Sequence, residues 1–188
     1  MKKLIIGCSL FCFIAVQASA QTQTFAKGDN VIGIGVGIGG NLYTGYGWAS
    51  GFKRTPPITV SYENCILGSL WDDRSSLGIG GMLGYASAKY GHATWGWKST
   101  DIIIGVRGSL HYALVDKLDT YVAAFMGYDF RTWKWNDGSY SGSYNAGASG
   151  FTSFWNVGAR YYFTDQVAVF SELGYGFAIL NFGLSLKF

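Results

Sequence analysis

The side chains able to do chemistry in this chain are few, and their spacing limits what they could do. Nucleophilic catalysis needs a nucleophile, a base beside it and an acid to orient the base. His92 and His111 are the two imidazoles of the sequence. His92 lies in Tyr90-Gly91-His92-Ala93-Thr94-Trp95, a run that reads as a solvated loop. His111 sits on the polar side of an alternating segment, where pairing with neighbouring charges is expected, and neither His is followed by the H-x-S spacing of a deacylase. Cys8 and Cys12 stand near the N-terminus and leave Cys65 alone in the body of the chain, expected as a free thiol near a strand end. One Cys cannot close an internal disulfide, and no metal site is expected. Gly35-Val36-Gly37-Ile38-Gly39-Gly40 matches G-x-G-x-x-G, but no helical pattern follows and no acid lies ~20 positions on, so no dinucleotide or other cofactor is expected.

The other candidates are Glu63, Arg107, Asp129, Arg131, Arg160, Glu172 and Lys187, with His111 among them. Each falls on the polar side of a period-two pattern. From Ile102 to Leu114 the even positions form an apolar stripe (Ile102, Ile104, Val106, Leu110, Leu114), and Gly105, Arg107, Ser109 and His111 lie between them. This is the alternation of a strand with two unlike faces. It recurs around Ile32 to Gly39, Ile58 to Glu63, Leu77 to Tyr85, Val122 to Arg131, Phe151 to Phe163, Val167 to Tyr175 and Leu180 to Phe188. Eight strands result, several near the ~9–11 residues that cross a bilayer when tilted.

The first twenty residues are set apart from these strands. Lys2 and Lys3, the apolar run Leu4 to Val16 and Ala18-Ser19-Ala20 have the layout of a cleavable signal peptide, so residues 21–188 are expected to form the domain, starting at Gln21. Ile5-Ile6-Gly7-Cys8 has the look of a lipidation box, but it lies too close to Lys3 to leave an apolar segment before it. Without Lys2 and Lys3 the charges nearly cancel, leaving no basic footprint for nucleic acid.

The composition is 49% hydrophobic, yet no later stretch holds the ~18 consecutive apolar residues of a membrane helix. The connections alternate in length. Leu67 to Ser75, Val115 to Asp119 and Thr164-Asp165 are the shorter set, and Asn41 to Thr55, Lys89 to Thr100 and Lys134 to Gly150 are long. Gly176 to Ile179 is short on the long side. Short turns at one end and long loops at the other fit an all-β fold, an eight-stranded antiparallel up-and-down transmembrane β-barrel. A soluble barrel with an apolar cavity would leave too sparsely charged an exterior. Tyr112, Tyr161, Phe163 and Phe188 are expected in one aromatic girdle, and Tyr85, Tyr128, Phe130, Phe151 and Tyr175 in the other.

Outward apolar faces place the charged set inside. An eight-stranded barrel is just wide enough for side chains to fill, and ions there must pair to offset desolvation. A self-paired polar plug is the expected interior; the alternative is a narrow channel for ions or small solutes. The turn near Lys117 suggests a register that sets Arg107 diagonal to Asp129, within reach of a long side chain. The Gly rows, Gly33 to Gly39 and Gly78 to Gly84, are expected to make room for long side chains from across the barrel.

With its last strand, Leu180-Asn181-Phe182-Gly183-Leu184-Ser185-Leu186-Lys187-Phe188, the chain resembles the small eight-stranded outer-membrane barrels related to outer membrane protein X and to the transmembrane domain of outer membrane protein A. The resemblance covers residues 21–188. It implies that Phe182, Leu184, Leu186 and Phe188 form a signal read by the barrel-assembly machinery, and it specifies no activity. The longer relatives with a peptidoglycan-binding domain after the barrel are not matched. Some such barrels act on lipid A or cleave proteins, but the scarcity of bases here argues for no enzyme. The resemblance further implies a Gram-negative outer membrane with both termini periplasmic, lipid and lipopolysaccharide as surroundings, and a monomer. Trp48, Trp95, Trp97, Trp133, Trp135, Tyr140 and Tyr144 in the long loops would then anchor the rim or bind an extracellular ligand. A structural or surface-interaction role follows.

Overall fold

The computed structural model describes residues 23–40, 52–92, 95–136, 141–144 and 149–188, with the backbone alone described at 52, 92, 95, 136 and 141–144. The expected signal peptide, Gln21, Trp48 and Tyr140 lie outside the described residues.

Alternating β-branched and aromatic residues favour strands, and the described residues form nine. They are β1 (Asn30–Ile38), β2 (Phe52–Gly68), β3 (Ser75–His92), β4 (Trp95–Val115), β5 (Leu118–Asn136), β6 (Ser141–Tyr144), β7 (Gly150–Tyr162), β8 (Val167–Tyr175) and β9 (Leu180–Lys187). Every pairing is antiparallel. β1 pairs with both β2 and β9, and β4 pairs with β5, so β1–β5 and β7–β9 close into an eight-stranded barrel. The seam is tied at its end by reciprocal backbone bonds between Asn30 and Phe188, each 2.9 Å. β6 extends the upper part of β5.

β3, β4 and β5 contain 18, 21 and 19 residues, about twice the ~9–11 that a tilted strand needs to cross a bilayer. This corrects two expected loops. Most of the Lys89 to Thr100 range is the paired ends of β3 and β4, and Lys134 to Gly150 contains the end of β5 and all of β6. Thr and aromatic residues continue the alternation there, and the ladder follows it. β2 likewise starts six residues earlier than expected and passes through Pro56-Pro57, where the register shifts between Thr55 and Ile58. Proline donates no ladder hydrogen bond, so it is accommodated at such an irregularity.

The two faces are opposite in character to those of a soluble domain. Ile34, Val106, Phe151 and Leu184 are each more than half exposed, while Glu63, Arg107, Asp119 and Glu172 are buried. The apolar stripe points out of the barrel and the charges point in.

Candidate functional site: the barrel interior

The alternation of β2, β4, β5, β7 and β8 projects ionic side chains into one enclosed space. At its centre Arg107 Nη2 donates to Glu172 Oε1 at 2.6 Å, between strands that are not neighbours. The Tyr121 hydroxyl donates to the same oxygen at 2.8 Å. The Tyr121 ring lies between two guanidiniums, with Arg107 Cζ 5.5 Å and Arg160 Cζ 5.3 Å from its centroid, within cation–π range. The second Glu172 oxygen faces the amides of Asn156 and Asn181 at 3.4 and 3.3 Å.

Toward the end that holds both described termini, His111 bridges two acids. Its Nδ1 lies 2.9 Å from Asp119 and its Nε2 3.0 Å from Glu63. Arg160 reaches the same two carboxylates at 3.3 and 3.4 Å. Two acids therefore face two basic groups, so little charge is left uncompensated. Phe25, ahead of β1, covers this cluster with its ring 4.5 Å from His111. Phe25, Val31 and Cys65 pack as a small apolar layer below, and Cys65 is a buried free thiol as expected. Lys187 lies at this rim, its ammonium donating to the Thr24 carbonyl at 2.9 Å and lying 3.5 Å from Asp29.

On the other side of the central pair, Met82, Ala86, Ile103, Phe125, Phe154 and Phe177 form an apolar layer across the bore. Phe177 enters it from the β8–β9 connection, over Gly84, where an added Cβ would lie 2.6 Å from the ring. Gly158 does the same for Tyr121 at 2.5 Å, and Gly35 for Phe170 at 2.9 Å. At Gly35 and Gly84 the glycines seat side chains, as the spacing of their rows suggested, and Gly158 does so outside those rows. Beyond the apolar layer Arg131 pairs with Asp101 and, at 2.8 Å, with Asp129. The gap bounded by Thr59, Met82, Phe154, Asn156, Glu172, Phe177, Ala178 and Asn181 leaves about 10 Å³ free, about one water's worth.

The structure brings Glu63, Arg107, His111, Arg160 and Glu172 into one network and places Asp129 and Arg131 in a second, with Lys187 at the rim. The expected Arg107–Asp129 pair is not formed. The β4–β5 ladder sets Arg107 opposite Phe125 and Asp129 opposite Ile103, which separates them by two inward rows. Arg107 turns across the bore to Glu172 instead. Sequence reasoning missed Asp101, Asp119 and Tyr121 as interior residues. They share the odd parity of Arg107 and Asp129, and extending the strands past the assumed turns would have found them.

The aromatic candidates divide differently. Trp97 and Trp133 are strand residues of β4 and β5, half-buried, with rings 4.8 Å apart, and Trp135 is exposed. They are not loop residues, which corrects that expectation. At His92, Trp95 and Tyr144 the backbone alone is described, and it too is strand. Tyr128 and Phe130 meet at a tilt at one end of the exterior, 4.8 Å apart, and Tyr161 and Phe163 meet edge to face at the other, 5.5 Å apart. Phe182, Leu184, Leu186 and Phe188 all face outward.

A closed sheet, an apolar belt between aromatic girdles and an ionic interior decide the fold. It is a transmembrane β-barrel.

No protein-family model matches the sequence, and no curated protein matches it. Among solved structures, the barrel is similar to Ail, the attachment invasion locus protein of Yersinia pestis, in complex with the heparin analogue sucrose octasulfate. The TM-score is 0.53 at 9% identity, covering 87% of this chain and 100% of that one. At this identity the likeness is one of fold. Also similar are the N-terminal β-barrel domain of Pseudomonas aeruginosa OprF (TM-score 0.46, 13% identity, 86% of this chain and 98% of that) and a de novo designed transmembrane β-barrel (TM-score 0.44, 14% identity, 87% and 98%).

Proposed function

We propose that this chain is a monomeric outer-membrane barrel of a Gram-negative cell that acts as a structural or surface-interaction protein, without catalysis and with a lumen plugged by its own side chains. Both termini face the periplasm, and the long ends of β3, β4 and β5 stand outside the cell. The supporting observation is the stack of layers across the bore. Two ion-paired clusters enclose an apolar one, and about 10 Å³ is left free beside Glu172. His111 has both ring nitrogens against carboxylates and a buried ring, so it presents no base to a substrate. The exposed Phe182–Phe188 stripe is the part offered to the assembly machinery, and the surroundings are lipid and lipopolysaccharide.

Planar-bilayer recording of the refolded protein tests the plug. The expected result is no stable conductance, with leak appearing when Arg107→Ala or Glu172→Ala opens the central layer. A stable wild-type conductance that changes with these substitutions would establish the narrow-channel reading instead.

A further inference from the structure

Above the apolar belt, the ladder sorts side chains into rows that cross four neighbouring strands. Ile58, Tyr85, Ile102 and Phe130 are mutual partners in one row. The next row in the same phase is Thr55, Ser87, Thr100 and Thr132, and the one after it is Lys53, Lys89, Lys98 and Lys134. Directly opposed residues of an antiparallel pair share a face with Cβ atoms ~4.5–5.5 Å apart, and like charges so placed repel. Lys53, Lys89 and Lys134 are exposed and Lys98 half-buried. Lys134 is in phase with outward Phe130 and Met126, Lys98 with Ile102, and Lys89 with Tyr85. Among the described residues no acid pairs with any of the four. Among the described residues, the acids of the connections, Asp72, Asp73, Asp116 and Asp165, lie at the opposite end.

The same wall carries a groove lower down. Ile32, Val60, Tyr62, Leu83 and Ile104 surround outward Gly81, which adds no side chain to an open apolar groove of about 440 Å³. From Gly81 to Lys89 is eight residues, ~26 Å along a strand at ~3.3 Å each, or ~20 Å in depth at a tilt of ~40°. One leaflet of the ~30 Å hydrocarbon core is ~15 Å deep. The groove therefore falls near the midplane, and lysine side chains snorkel to the level of lipid phosphates.

We propose that this wall of β1–β5 is a binding site for the phosphorylated headgroup of lipopolysaccharide, with the lysine row taking the phosphates and the groove an acyl chain. The lysine repulsion is relieved when phosphate lies between the ammonium groups, so a site strained without ligand becomes favourable with it. The proposal rests on the orientation given above, because this lipid occupies the outer leaflet.

The test uses the full barrel refolded in phosphatidylcholine nanodiscs, with folding checked by heat-modifiable gel mobility. Diphosphoryl lipid A, monophosphoryl lipid A and heparin are the probes. In the variant carrying Lys53→Gln, Lys89→Gln, Lys98→Gln and Lys134→Gln, diphosphoryl lipid A binding should fall at least about ten-fold, as loss of several near-surface cations implies. Lys27→Gln with Lys117→Gln, at the other end, should leave it unchanged. Monophosphoryl lipid A should bind wild type more weakly than the diphosphoryl form. Melting gives an independent sign: without lipid A the four-Gln variant should melt higher than wild type, and with it lower. Equal lipid A affinity in wild type and folded variant would overturn the proposal. So would loss of heparin binding alone, which would assign the row to a sulfated glycan. Orientation is read separately, by labelling Lys89→Cys in a Cys65→Ser background with an impermeant maleimide. Labelling in intact cells supports the orientation. Labelling only after permeabilisation overturns it, and the nanodisc affinities then still decide whether the row binds phosphate.

Discussion

Arg107 shows how far a single residue's partner can lie from anything its own strand suggests. Its parity, and so its place inside, follows from Ile102 to Leu114 alone. Its partner Glu172 is 65 positions away and comes within reach only when β9 closes on β1 and the bore acquires a far wall. The same holds for Phe25 and Phe177, which enter the interior from outside any alternating run, so no periodicity marks them. Asp101 and Asp119 were within reach of the parity argument and were lost by ending the strands too soon. For Arg107 the energetic consequence is direct. Removing one partner of a buried pair leaves a charge uncompensated and costs ~3–5 kcal/mol. Arg107→Ala should lower unfolding stability in urea, measured in lipid vesicles, by that order. The double variant Arg107→Met with Glu172→Leu should recover most of the loss. Equal destabilisation in single and double variants would show that the pair acts as spacing alone.

At the scale of elements, the strands were legible because one face is apolar for its whole length, whichever residues fill it. Their ends were not. Above the belt both faces become polar or aromatic, so the alternation loses contrast although the backbone ladder continues through Trp97 and Trp133. The turns carry their own chemistry. Lys117 sits at φ 64° in the Asp116-Lys117 hairpin, a conformation that costs a non-glycine residue ~1–2 kcal/mol. Lys117→Gly should therefore leave the barrel equally or more stable, by up to ~1 kcal/mol; a clear loss would mean that the lysine side chain holds the turn. In the β2–β3 connection, desolvation works to raise the Asp72 carboxyl, but hydrogen bonds from Arg74, Tyr112 and Ser75 outweigh it and hold it below the usual range. A lowered carboxyl stabilises the fold at pH above the ordinary value of ~3.9 and stops doing so as pH falls through its folded value. Amide exchange at Arg74, whose N–H lies 3.0 Å from Asp72 Oδ1, should quicken across that window relative to neighbouring turns. Asp72→Asn should remove this pH dependence. If the variant keeps the profile, another group sets it.

The whole molecule follows from a choice between two ways of closing the same sheet. With the stripes inward, the barrel would be soluble around an apolar cavity. With the stripes outward, it requires a hydrocarbon solvent, and the ionic residues must satisfy one another. The second is the arrangement seen, and it makes the unusual composition consistent: abundant glycine seats the inward rings, and sparse charge suffices because water meets only the ends. Closure and facing were readable from the sequence because they depend on pattern. The layers across the bore were not, because they depend on which side chains meet after closure. The facing is open to direct measurement. Nitroxide labels attached by cysteine at Val106, Met126 and Leu184, in a Cys65→Ser background in phosphatidylcholine vesicles, report whether each position is relaxed by oxygen, which concentrates in lipid, or by a water-soluble nickel chelate. Oxygen should dominate at all three, giving way to the chelate at Lys89. Preferential relaxation of the Val106 label by the chelate would mean that the apolar face meets water, and the membrane barrel would have to be abandoned.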